Sequence, residues 1–266
     1  MHLISYLLAA LVTIGLTEGK PVARAKSSSP APTFLKGKYV CDDGDDDAKF
    51  SKKALYTFTG NKLPSGLSAS TYNVGGNRVF STSNVVVRNG YLELRVPGGQ
   101  KAMPYSCGQI VTDVNNIVSA SVRTTAILTE NAGTINGMFF YGDDSQETDI
   151  EWISDASSGS NNGYRWLWFT NQDSNGDRKL TSKAVRPPSN PTTTEHEYRI
   201  DWTPNLTVFF IDGVEIWRTT QDAPNIPGPW MWNNWTNGNK GWSVGPPAKD
   251  SVFKIRKIEM YYNTAN

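Results

Sequence analysis

The sequence predicts an all-β fold, a sandwich or jelly roll, on three observations. Short strand-like runs recur with no helical-period segment between them, and turn dipeptides separate them. The 266 residues also include 23 Gly and 15 Pro, a loop-rich composition. A further asymmetry needs an explanation: all nine tryptophans lie between residues 152 and 242.

In chain order, the apolar run at residues 3–16 is too short to span a bilayer and suits the core of a signal peptide. Residues 1–19 are read as that signal, with cleavage after Gly19 or Ala25. Residues 20–34 are Ser, Pro and Ala-rich without apolar periodicity and read as a flexible leader. Residues 35–264 read as one domain. The C-terminus carries no hydrophobic tail, so a GPI signal is not expected. The expected mature protein is secreted, extracellular and monomeric, with no membrane contact. In that setting Cys41 and Cys107, the only cysteines, are expected to form a disulfide. It would close a loop of about 67 residues and stabilise by about 4 kcal/mol.

The acidic run at 42–47 has the clustered carboxylates that a hard cation favours, so a structural Ca²⁺ is left open there. It lacks EF-hand spacing and a terminal Glu, which favours a solvated loop. Residues 85–96 hold two β-rich stretches around Asn89-Gly90, and residues 206–217 repeat the pattern around Asp212-Gly213; each reads as a hairpin. Strands are expected at 117–124, 137–141, 147–153, 164–169, 197–202, 229–234 and 253–262.

Composition limits the chemistry. With 26 basic and 25 acidic residues and no basic block, a nucleic-acid partner is not expected. His2 lies in the signal, leaving His196 alone, which rules out a His-rich zinc site and makes a Ser-His-Asp triad depend on one residue. No metal and no organic cofactor are expected. Catalysis, if present, falls to carboxylates.

Glu147, Asp149 and Glu151 alternate with Thr148, Ile150 and Trp152, so in a strand the three acids share one face. A solvated outer face or a cation site would also show such a row. Four residues at about 3.3 Å each separate the outer Cα atoms by about 13 Å, and side chains leaning inward close the carboxyl gap to roughly 5 to 7 Å. Two carboxyls at about that distance are what glycosidic cleavage requires, with the shorter end favouring retention. The middle Asp149 would hold its neighbour through a shared proton and raise nearby pKa values, keeping one Glu protonated near neutrality.

Glu147-Thr-Asp-Ile-Glu151 resembles the Glu-x-Asp-x-Glu signature of glycoside hydrolase family 16. Its company is more specific: Gly137-Met-Phe-Phe-Tyr-Gly142 resembles the preceding family strand, and His196-Glu-Tyr-Arg-Ile-Asp-Trp202 followed by Asp212-Gly213 resembles a further segment and hairpin. Trp232-Asn-Asn-Trp235 resembles the Met-Asn-Leu-Trp segment of lichenase-like members. The resemblance implies a concanavalin A-like β-jelly roll with a concave substrate cleft. It makes Glu147 the nucleophile, Asp149 the assisting carboxylate, Glu151 the general acid/base and His196 non-catalytic. The unbulged spacing resembles lichenases, xyloglucan endotransglucosylases and fungal wall transglycosylases; Thr148 departs from the usual aliphatic residue. The implied activity is that of a retaining endo-acting β-glucanase with a polysaccharide substrate. The alternatives are a glucan transglycosylase of the same fold and a silent β-glucan-binding module.

Aromatic rings both fill cores and stack on pyranose faces. Trp152, Trp202 and Trp217 are assigned to the core. Trp235 and Trp242, in a Gly/Asn-rich stretch, are assigned to sugar contact, with Asn233 bonding substrate hydroxyls. Trp166 and Trp168 share a strand face and join the substrate-binding candidates, while Trp230 and Trp232 are left open. Asn205 begins a sequon at a strand start and is the expected glycosylation site; a second sequon, at Asn234, is placed in the cleft.

Overall fold

A computed structural model describes residues 33–35, 38–40, 49–177 and 179–265. The proposed signal, most of the leader, the acidic run at 42–47 and Cys41 lie outside the described residues.

Two sheets stack face to face as a β-sandwich of jelly-roll type. The nine-stranded sheet runs Thr181–Val185, Leu167–Asn171, Gln146–Ile153, Ile135–Asp143, Trp230–Trp235, Tyr105–Thr112, Arg78–Phe80 and Asn73–Val74. Leu67–Ala69 pairs beside Tyr105–Thr112. The eight-stranded sheet runs Val214–Thr219, Leu206–Ile211, His196–Thr203, Ile117–Ile127, Ser251–Thr264, Tyr91–Val96 and Val85–Arg88, with Lys52–Thr57 beside Ser251–Thr264. Pairing is antiparallel except where Tyr105–Thr112 meets Arg78–Phe80 in parallel. Thr33–Leu35, Lys38–Val40 and Lys49–Phe50 form a small third sheet.

Both expected hairpins form, for a backbone reason. Asn89 and Gly90 have φ of 52° and 79°, Asp212 and Gly213 have 50° and 74°, and a two-residue turn with positive φ at both centres matches the twist of its strands. All seven other expected strands are present, most with ends moved by a few residues; the run at 164–169 starts only at Leu167.

The space between the sheets is filled by aromatics. Phe140 stacks on Trp202 with ring centroids 4.0 Å apart, and Phe169 stacks on Phe209 at 4.8 Å. Trp152, Trp202, Trp230 and Trp232 are all buried in this core, which decides the two that the sequence left open. Burying an indole is tolerable when its N–H is bonded. Trp152 donates to Thr129 O (3.0 Å), Trp202 to Pro224 O (2.7 Å) and Trp232 to Thr124 Oγ1 (2.8 Å). Trp217 lies partly buried at the edge, stacked on Phe209.

The expected Cys41–Cys107 disulfide is a correction. Cys107 is a free, fully buried thiol in a second apolar cluster with Phe80, Ile135, Ile153 and Trp235, and its Sγ accepts from Thr236 N. Desolvation pushes that thiol up to about 11. A group so enclosed packs as a small hydrophobe. The sequon at Asn234 is also corrected: Asn234 faces the core and donates to Leu94 O and Ser251 O, so it is fully engaged rather than in the cleft. Asn205 stands exposed in the turn before Leu206–Ile211.

Candidate active site

The acidic strand Gln146–Ile153 divides its side chains as a period of two requires. Thr148, Ile150 and Trp152 point into the core, each 1% exposed or less, so Glu147, Asp149 and Glu151 face away from it into the cleft. Pairing places Tyr141, Phe139 and Gly137 opposite the three acids on one side, and Thr170 and Trp168 opposite Asp149 and Glu151 on the other. The register continues across the sheet: Asn233 lies opposite Gly137, and Gln109 opposite Asn233. Trp168, Glu151, Gly137, Asn233 and Gln109 therefore form one lateral row. Glycine is needed in it, because a Cβ on Gly137 would come within 2.5 Å of Asn233 Oδ1.

Electrostatics separate the three carboxyls. Asp149 is buried and held well above the usual carboxylate range, first by desolvation and then by the charges of Glu151 and Glu147. It carries the proton and donates to Glu147, a bond that raises Asp149 and lowers Glu147. Thr170 also hydrogen-bonds Asp149. Burial and then the Glu151 charge push Glu147 up to about 8. Burial pushes Glu151 up to about 7, opposed by hydrogen bonds from the Trp242 and Trp235 indoles and by the Arg78 guanidinium. The row holds protons at neutral pH that isolated carboxylates would have lost.

The substrate-binding candidates separate in the structure. Asn233 is buried beside Glu151's row, donating to Gln109 Oε1 (3.3 Å), while its Oδ1 accepts no bond among the described residues. Trp235 is 8% exposed and its ring face is covered by the Arg78 guanidinium at 4.2 Å, so it is a donor to Glu151 more than an open platform. Trp242 donates from Nε1 to Glu151 Oε2 at 3.0 Å and packs against Trp168 at 5.5 Å. Trp166 precedes the strand and donates to Asn161 O. His196 bridges Asp212 and Ser189 O, away from the acids, as a structural residue does.

Sequence reasoning misses Arg78, Tyr72 and Gln109. Gln109 Nε2 donates to the Tyr72 hydroxyl at 2.7 Å, tying Tyr105–Thr112 to the segment that precedes Asn73–Val74. For Gln109 the signal is the period-two alternation of Tyr105–Thr112, whose burial on both faces hides it. Among the described residues, no group of three or more His, Cys, Asp or Glu is arranged to hold a metal ion.

The raised carboxyls have a consequence for stability. Each folded group keeps its proton to higher pH than in the unfolded chain, so its contribution is complete below the ordinary carboxylate range and is lost as pH rises toward about 8. Carboxylates lowered by partners, such as Glu93 and Glu259, act in the opposite sense and at lower pH. The melting temperature is expected to fall from about pH 5 to about pH 8, and Glu147→Gln to flatten that fall. Calorimetry across the range checks it; equal slopes for both proteins would refute it.

Comparison with known proteins places these residues in a family. The sequence model of glycosyl hydrolases family 16 matches residues 73–244. Crh-like protein 3 of Botryotinia fuckeliana is 23% identical over 188 residues, covering 66% of this chain and 38% of that protein. A beta-glucanase of Paenibacillus polymyxa is 26% identical over 149 residues, 54% of this chain and 57% of that protein. The chain thus spans roughly half or less of the length of these relatives. Among solved structures, a lichenase from a mouse hindgut metagenome has a TM-score of 0.63 at 19% identity, covering 80% of this chain and 99% of its own.

Proposed function

This chain belongs to glycosyl hydrolases family 16, and on that premise we propose that it is a retaining, endo-acting β-glucan hydrolase, secreted by the signal peptide read at residues 1–19. The observation that carries this reading is the row of three cleft-facing carboxyls, with a buried, proton-holding Asp149 bonded to Glu147. Neither a solvated face nor a pure binding surface requires carboxyls so desolvated.

In the proposed reaction Glu147 attacks the anomeric carbon as the carboxylate, the form that the hydrogen bond from Asp149 favours and that Glu147 reaches when the row's protons rest on Asp149 and Glu151. Glu151 gives its proton to the leaving glycosidic oxygen as the bond breaks. Glu151, now a carboxylate, takes a proton from water, which attacks the same carbon and expels Glu147. Two inversions give net retention. Trp168, directly opposite Glu151, offers an aromatic surface for a pyranose ring.

Proton NMR of the first product from lichenan, laminarin, xyloglucan and chitin oligomers tests this reading. A β-anomer formed before mutarotation is the expected result. An α-anomer would overturn the retaining assignment, and no cleavage of any of them would overturn the hydrolase. A labelled acceptor in the same mixture appearing in longer products would instead show transfer.

A further inference from the structure

The segment carrying Trp242 is tied to the acidic strand in a closed circuit. The loop at 154–163 leaves the strand directly after Ile153, and Asn161 Nδ2 secures it by donating to Ile153 O (2.9 Å) and Asp155 O (2.8 Å). It then grips the second loop. The Ser158 and Ser160 hydroxyls both donate to Gly241 O, at 2.9 and 2.8 Å, joined by Ser160 N to Gly241 O (3.1 Å) and Gly159 N to Lys240 O (3.0 Å). The next residue is Trp242, whose indole returns to Glu151 Oε2 at 3.0 Å. Its ring is braced by Trp168, which itself lies opposite Glu151. Four hydrogen bonds placed on two adjacent carbonyls are more than a mobile sugar platform needs. They fix where an N–H points.

Taking Glu151 as the acid/base of the proposed function, we propose that Trp242 is its positioning residue. The indole N–H holds Oε2 and, with the Trp235 indole as the second donor, fixes the orientation of the Glu151 carboxyl. It also stabilises the charge Glu151 gains on releasing its proton, without reorganising at that moment. Ser158 and Ser160 serve the same end one step removed. The charged and titratable groups around Glu151 are Glu147 and Asp149 on its own strand, Arg78 across the cleft, and the exposed Lys240 on the loop of Trp242. The neighbouring strands bring Gly137 and Trp168 at that level, neither of them charged.

Trp242→Phe keeps a ring against Trp168 and removes only the N–H. Titration of the Glu151 side-chain carboxyl by ¹³C NMR, assigned with Glu151→Gln, is expected to move up by about one pH unit, the tenfold in proton affinity that a charge-assisted hydrogen bond supports. An unmoved midpoint would overturn the proposal. In kinetics the basic limb of kcat/KM should shift by the same amount, with kcat down about tenfold and KM little changed. A higher KM with an unmoved limb would make Trp242 a sugar platform and overturn the proposal as well. Should Trp242→Phe fail to fold, the Ser158→Ala/Ser160→Ala double variant must shift Glu151 in the same direction by a smaller amount; no shift sinks the idea. The titration needs no substrate, so a chain inactive on every glucan would defeat the hydrolase reading while the titration still decides this one.

Discussion

Glu147→Ala lowers the rate of glucan hydrolysis by about 10⁴-fold, and added azide restores turnover as an α-glycosyl azide. The size follows from removing the covalent route, since the remaining acid and binding contacts supply only part of the acceleration. The rescue follows from shape. Truncation leaves a void on the face opposite the leaving group, a small anion fills it and attacks the anomeric carbon, and Glu151 still protonates the departing oxygen. Glu151→Ala gives the mirror result, a β-glycosyl azide, because the void then lies on the leaving-group side. Azide products of the opposite configuration from each variant would exchange the two roles. A Glu147→Ala enzyme at wild-type rate would remove Glu147 from the mechanism.

Trp202→Ala destabilises the domain by about 3 to 5 kcal/mol and lowers the melting temperature by roughly 10 °C. Trp202 is 1% exposed, stacks on Phe140 and donates to Pro224 O, so truncation opens a cavity and leaves a carbonyl without its donor. Phe140 pairs in register with Thr148, between Glu147 and Asp149, so the loss is also felt under the acidic strand. Chemical denaturation checks the magnitude; a change under about 1 kcal/mol would show that the core closes around the gap.

Much of the fold and of the acidic site is legible in the amino-acid order, and the reasons are local. The acidic row is readable because a strand's period is two and the acids obey it without interruption. Both hairpins are readable because Asn-Gly and Asp-Gly meet a backbone demand that few other pairs satisfy. Trp230 and Trp232 are not, since on alternate positions beside Asn233 and Trp235 the aromatics of that strand serve both faces, and the pattern does not say which face is which. Trp235, expected to contact sugar, is instead a donor to Glu151, and the guanidinium that covers its ring comes from Arg78, on a strand far earlier in the chain. The disulfide inference fails for a related reason. Cysteine count and compartment argue for a pair, but only packing shows that Cys107 lies enclosed beneath Trp235.

The strand Trp230–Trp235 sends Trp230, Trp232 and Asn234 to the core, and Asn233 and Trp235 to the cleft. The acidic strand is divided in the same way. Adjacent codons thus answer to different demands: one position serves the packing between the sheets, and the next serves the carboxyl-lined face. On Trp230–Trp235 a substitution at Met231 or Asn233 falls on the cleft side and leaves the core-facing Trp230, Trp232 and Asn234 in place. Library design can follow the same rule, randomising residues 231 and 233 and holding 230, 232 and 234 fixed together with Trp235, which donates to Glu151 and packs against Cys107.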